Sequence, residues 1–170
     1  MTAKRLNLKK GINLDLKIRY KAIEHERIED SPFIGATISA IDCNFNCKNC
    51  FNQSLKQLPT LEKDALEIIN EVRDNIFNKG IILAGLEWTM LQTHEVIELA
   101  LCAKENDLLT MIYTGRNFED KEIRDLLATG IFDYIKCGRY IEDLKTTNHI
   151  EYGVTLASSN QHIYKKGIDY

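Results

Sequence analysis

Leu14, Leu16, Ile18 and Tyr20 alternate with Asp15, Lys17 and Arg19, and this period of two predicts a half-exposed strand. Residues 21–32 are charged and predict a connection. Phe33–Ile41 returns to strand character. Leu61, Ala65, Ile68, Ile69, Val72 and Ile76 then recur at helical spacing, with Thr60 placed to cap the helix and Gly80 to end it. Ile81–Leu83 is a short apolar strand, and a second helix is predicted from His94 to Asn106 behind Thr93. Leu108–Tyr113 predicts a strand, Glu119–Ala128 a helix stopped at Gly130, Phe132–Lys136 a strand and Tyr152–Leu156 a last one.

Strands alternating with helices across short connections predict an α/β fold with a mostly parallel sheet. In such sheets ligands bind beyond the carboxyl ends of the strands. That rule places the segment after Ile41, Ala84–Trp88, Tyr113–Arg116 and Cys137–Tyr140 on one rim. A length of 170 residues fits a single domain over residues 1–170, with residues 1–12 a basic, polar N-terminal arm. Hydrophobic residues make up 44% and charged residues 28%, as in ordinary globular proteins. A formal charge of −3 gives no basic footprint for nucleic acid. No apolar run has the length of a membrane span, and the lysine-rich start has no apolar signal segment. The location expected is the cytoplasm.

Composition changes the picture most at cysteine. Of five cysteines, Cys43, Cys47 and Cys50 cluster, while Cys102 and Cys137 lie far off. An odd count without a secretion signal speaks against a disulfide framework. The spacing C-x3-C-x2-C lets three thiolates wrap one metal centre. A structural zinc site takes four ligands, and an electron-transfer 4Fe–4S cluster normally takes four cysteines. Cys102 falls in the apolar helix Leu99-Ala-Leu-Cys-Ala and reads as core. Three cysteines around a cluster leave one iron open, which suits catalysis. The loop is otherwise polar (Asn44, Asn46, Lys48, Asn49, Asn52, Gln53) and has no packing reason to hold three thiols.

C-x3-C-x2-C after the first core strand resembles the signature of radical S-adenosylmethionine enzymes. Cys47-Lys-Asn-Cys50-Phe-Asn is similar to the C-K-G-C-F-N of the activating proteins of anaerobic ribonucleoside-triphosphate reductase, with Asn49 where many members of the wider family carry an aromatic residue. Ala84-Gly85-Leu86-Glu87 resembles a G-G-E-type turn in its Gly85 and Glu87. Tyr113-Thr114-Gly115-Arg116 resembles Y-T-G-Y, and Asp133, Gly138 and Ile141 match part of a D-x-L-x-D-G-P-F-I stretch. Ser158-Ser159-Asn160-Gln161 resembles the end of the same proteins.

The resemblance implies an open, partial βα barrel of radical S-adenosylmethionine type. It implies a 4Fe–4S cluster on Cys43, Cys47 and Cys50, and S-adenosylmethionine held near Gly85, Glu87, Thr114, Ser158 and Asn160. It further implies reductive cleavage of that sulfonium to a 5′-deoxyadenosyl radical, with no catalytic side chain beyond cluster and cofactor. Flavodoxin or ferredoxin would be the electron donor. The target would be a glycine of the glycyl-radical subunit of anaerobic ribonucleoside-triphosphate reductase. Two alternatives stand beside this one. The same chemistry could act on a small molecule or another glycyl-radical enzyme, as the departures at Leu86, Arg116, Cys137 and Arg139 suggest. A zinc-binding interaction module completed by His25, His94, His149 or His162 is the other.

Overall fold

The computed structural model describes residues 11–170. The arm expected over residues 1–12 therefore lies outside the described residues, apart from Gly11 and Ile12. Ile12 packs against the core.

Among the described residues, ten strands and four α-helices follow one another as β1 (Lys17–Tyr20), β2 (Ile23–Arg27), β3 (Gly35–Ser39), β4 (Leu61–Asp64), α1 (Ala65–Asp74), β5 (Gly80–Ala84), α2 (Trp88–Leu91), α3 (Thr93–Glu105), β6 (Leu109–Tyr113), α4 (Lys121–Ala128), β7 (Tyr134–Cys137), β8 (Lys145–Glu151), β9 (Val154–Ser158) and β10 (His162–Lys165). Six strands form one sheet in the order β10-β7-β6-β5-β3-β2. The four central strands β3, β5, β6 and β7 run parallel, while β2 and β10 pair antiparallel at the two edges. β1 pairs with β4, and β8 with β9, in two separate hairpin-sized sheets.

Strand alternation divides the apolar side chains between two layers. Ile38, Ile81, Leu83, Ile112 and Ile135 face α1, α3 and α4, where Ile68, Val72, Leu99, Ala103, Ile123 and Leu127 complete the larger core. On the opposite side Met111 meets Val154, Leu156 and Ile163 in a smaller cluster. The β8–β9 hairpin thus covers the side of the sheet that the helices leave free.

Several boundaries differ from the periodicity. The first helix begins at Ala65, because Leu61–Asp64 is a strand paired with β1. Asp64, not Thr60, caps it: Asp64 accepts from the Glu67 N–H at 2.8 Å and Glu67 returns the bond to the Asp64 N–H at 2.9 Å. The charged stretch 21–32 contains β2, an edge strand, where charges block further pairing. β8 and β10 have too few apolar residues to announce themselves as strands.

Candidate metal centre

The chain leaves β3 into a loop that carries Cys43, Cys47 and Cys50 as half-buried free thiols. Several hydrogen bonds fix its start. The Ile41 N–H donates to Gln92 Oε1 at 3.0 Å, the Glu87 N–H to Asp42 O at 3.0 Å, and Lys56 Nζ to Cys43 O at 2.5 Å. Gln92, itself buried, also donates to Arg19 O at 2.7 Å and so joins the loop to β1 and α3. Asn46 and Asn49 adopt left-handed φ values of 51° and 57°, immediately before Cys47 and Cys50. Asparagine tolerates that conformation better than most residues, so each chain reversal delivers the cysteine that follows it.

Phe45 seats the loop against the end of β6. A Cβ on Gly115 would come within 2.5 Å of its ring, so only glycine leaves room for the contact. Gly85, at the end of β5, has φ +81°, and a Cβ there would sit 2.6 Å from Ser39 Oγ. These two glycines let the loops after β3, β5 and β6 approach one another.

The ends of β3, β5, β6 and β7 border one cavity of about 310 Å³. Its wall includes all three clustered cysteines, Gly85, Glu87 and Thr114, together with Lys136, Gly138 and Gln161. No histidine and no fourth cysteine lines it. Cys102 and Cys137 are buried elsewhere, and burial pushes both thiols up to about 12. Burial also raises the Cys43 thiol, opposed by the Phe45 N–H.

Glu87 is buried and heavily bonded. Its Oε1 accepts from the Thr89 N–H at 3.1 Å and the Thr89 hydroxyl at 2.7 Å, and its Oε2 accepts from the Gly115 N–H at 2.7 Å. Thr114 is buried too, and its hydroxyl accepts from the Arg116 N–H at 3.0 Å.

Ser158 and Asn160 do not line the cavity. Ser158 Oγ accepts from the Ile141 N–H at 3.4 Å, and Asn160 Nδ2 donates to Arg139 O at 3.0 Å. Gln161 is the member of that motif that reaches the wall. Its Oε1 accepts from the Ala157 N–H at 3.1 Å and its Nε2 donates to Gly138 O at 3.1 Å.

Lys136 also reaches the cavity, although no motif in the sequence marks it. It lies on β7 between apolar neighbours, a pattern that implies an outward-facing lysine. The β8–β9 hairpin covers that face, and the ammonium instead sits 4.9 Å from the Tyr113 ring centroid at the cavity wall. Burial lowers its pKa to about 8, against the pull of the neighbouring thiols and Glu87.

Three thiols on one wall are the donor chemistry that iron–sulfur clusters take, so the residues present fit such a group. Among the described residues no helix is long and apolar enough to cross a membrane. No curated protein matches the chain. Residues 34–164, which run from the start of β3 into β10 and include every residue lining the cavity except Glu29 and Asp30, match the model of the 4Fe–4S single cluster domain. With the donor set and the match covering the same residues, the chain belongs to the 4Fe–4S single cluster domain family.

Proposed function

We propose that Cys43, Cys47 and Cys50 hold the cluster with one iron free of protein ligands, and that the chain is a radical S-adenosylmethionine enzyme. One observation carries this reading: the three cysteines share a cavity with Gly85 and Glu87, and no further cysteine or histidine lines that cavity. When bound, a cluster with an open iron supplies one electron to the sulfonium of S-adenosylmethionine, giving methionine and a 5′-deoxyadenosyl radical.

The chain's own residues bind and orient. Glu87 keeps lone-pair capacity on Oε2 beyond the Gly115 bond, and a carboxylate there suits the methionine ammonium by a charge-assisted hydrogen bond. Gly85 admits the cofactor close to the backbone. Thr114 and Gln161 complete the wall, while Ser158 and Asn160 act from behind it by holding Ile141 and Arg139. An open, partial βα barrel belongs to the same proposal.

The target we assign is a glycine of the glycyl-radical subunit of anaerobic ribonucleoside-triphosphate reductase, with flavodoxin or ferredoxin as donor. A cavity of about 310 Å³ is at the small end for a cofactor site and leaves little space for a second free ligand. A peptide arriving from outside needs no such space. Phe51, exposed at the rim and 5.6 Å from the Tyr140 ring, offers it an aromatic surface.

Anaerobic reconstitution tests the reading. Reduced protein should form 5′-deoxyadenosine from S-adenosylmethionine, and a glycyl radical signal should arise only when the reductase is added. One zinc per chain with neither iron nor sulfide would overturn it.

A further inference from the structure

His149 and Glu151 are two residues apart on β8 and so share a face of that strand. His162 opens β10 on the edge of the main sheet. The three side chains meet. His149 Nε2 donates to Glu151 Oε1 at 2.9 Å and His162 Nδ1 donates to the same oxygen at 2.7 Å. One ligating atom from each lies within 4.8 Å of both others, and this is the group of such residues found among the described residues. The other carboxylate oxygen, Glu151 Oε2, accepts from the Ile163 N–H at 2.6 Å, which fixes the carboxylate's orientation. The imidazole rings stand edge-on, 72° apart.

We propose that His149 Nε2, Glu151 Oε1 and His162 Nδ1 form a binding site for one zinc-class divalent cation, separate from the cysteine cavity. Two imidazoles and a carboxylate are a donor set for zinc, with bonds of about 2.0–2.2 Å. Ligand atoms around a tetrahedral ion at those lengths are about 3.3 Å apart. The two separations are shorter by about half an ångström, so a metal in place of the two bridging hydrogens, with each neutral imidazole then carrying its proton on the other ring nitrogen, requires only a small opening.

Charge and access agree with this assignment. Burial alone would raise the Glu151 pKa, but the Ile163 N–H and both imidazoles hold it below the usual carboxylate range, so the hub is an anion. Asp169 borders the same surface cleft as Glu151 and His162 and adds a second carboxylate to the approach. The His162 side chain is 49% exposed, which leaves the ion a way in. Three protein ligands leave a fourth position for water.

The consequence is mechanical. β8 belongs to the covering hairpin and β10 to the main sheet, so the ion clamps one to the other. The β9 strand between them supplies Thr155, Leu156 and Ala157 to the cysteine cavity. The clamp therefore fixes one wall of that cavity without touching it.

Zinc titration of the full chain with its iron–sulfur cluster assembled is the test, read by zinc and iron content and by zinc-edge X-ray absorption. We expect one zinc per chain beyond the iron, with nitrogen and oxygen neighbours at about 2.0 Å and no sulfur at about 2.3 Å. His162→Ala and Glu151→Gln should each weaken zinc at least roughly tenfold, with iron content unchanged. His162→Cys should restore binding and add one sulfur neighbour. Sulfur-dominated coordination in the parent protein, affinity equal in parent and variants, or no zinc retained would each overturn the site. Sulfur-dominated coordination would also place zinc on the clustered cysteines, whereas the other two outcomes leave the cysteine-bound cluster untouched.

Discussion

Glu87 Oε2 accepts the Gly115 N–H at 2.7 Å and thereby joins the turn after β5 to the turn after β6. The other oxygen of the same carboxylate caps α2 through Thr89. Glu87→Gln replaces one acceptor oxygen with an NH2 group that must face either the Gly115 or the Thr89 N–H. A buried donor left unpaired in this way costs about 1–3 kcal/mol. The urea midpoint of cluster-free protein should fall accordingly. An unchanged midpoint would show that this bond does not hold the rim.

Gly115→Ala puts a methyl group into the Phe45 ring. Overpacking of this kind costs about 1–3 kcal/mol, and here the loop carrying the cysteines is the part free to give way. Iron retained per chain after anaerobic reconstitution should drop. Adding Phe45→Leu to the same protein should recover it, which a general folding defect would not allow.

Native protein without its cluster should react unevenly with an alkylating agent. Burial takes Cys102 and Cys137 from 9.0 to about 12, a thiolate fraction about a thousandfold smaller at neutral pH. Mass spectrometry at short times should find label on Cys43, Cys47 and Cys50 well before either buried residue. Early modification of Cys137 would contradict its place in the fold.

Lys136 gives a pH signature. Its pKa is lowered from 10.5 to about 8 in the folded chain, so between those values the unfolded chain binds more protons. Stability contributed by this group therefore rises with pH across that window, and the penalty for a charged lysine is complete below about 8. Lys136→Met removes the penalty. The variant should be more stable than the parent at pH 7, and the gap should narrow as pH climbs from about 8 towards 10.5. Comparing the two proteins cancels the opposing titration of Cys102, which Lys136 does not influence, and a gap that does not vary with pH would refute the assignment.

The sequence showed element bodies more clearly than their ends. Ile68, Ile69 and Val72 mark α1 correctly, but Leu61 also fits the helical spacing and hides a strand. The Asp64-x-x-Glu67 capping box was the available signal. β2 was obscured because an edge strand exposed to water carries charges, and β8 because its hairpin contributes mainly through β9. At the site, cysteine spacing alone singled out the loop. Lys136 was illegible because alternation says which face a residue takes, not what covers that face. Gln161 likewise reads as one more polar residue until its bonds to Ala157 and Gly138 are seen. Gly115 stands in the sequence only as part of a Y-T-G-Y-like segment, yet its reason is a ring from a segment seventy positions earlier.

Asn46, Asn49 and the seated ring of Phe45 shape the cysteine loop from protein contacts alone. The turn before Cys47 and the turn before Cys50 each depend on a residue that supplies no sulfur, so exchanging either asparagine for a β-branched residue strains the backbone that aims the ligand after it.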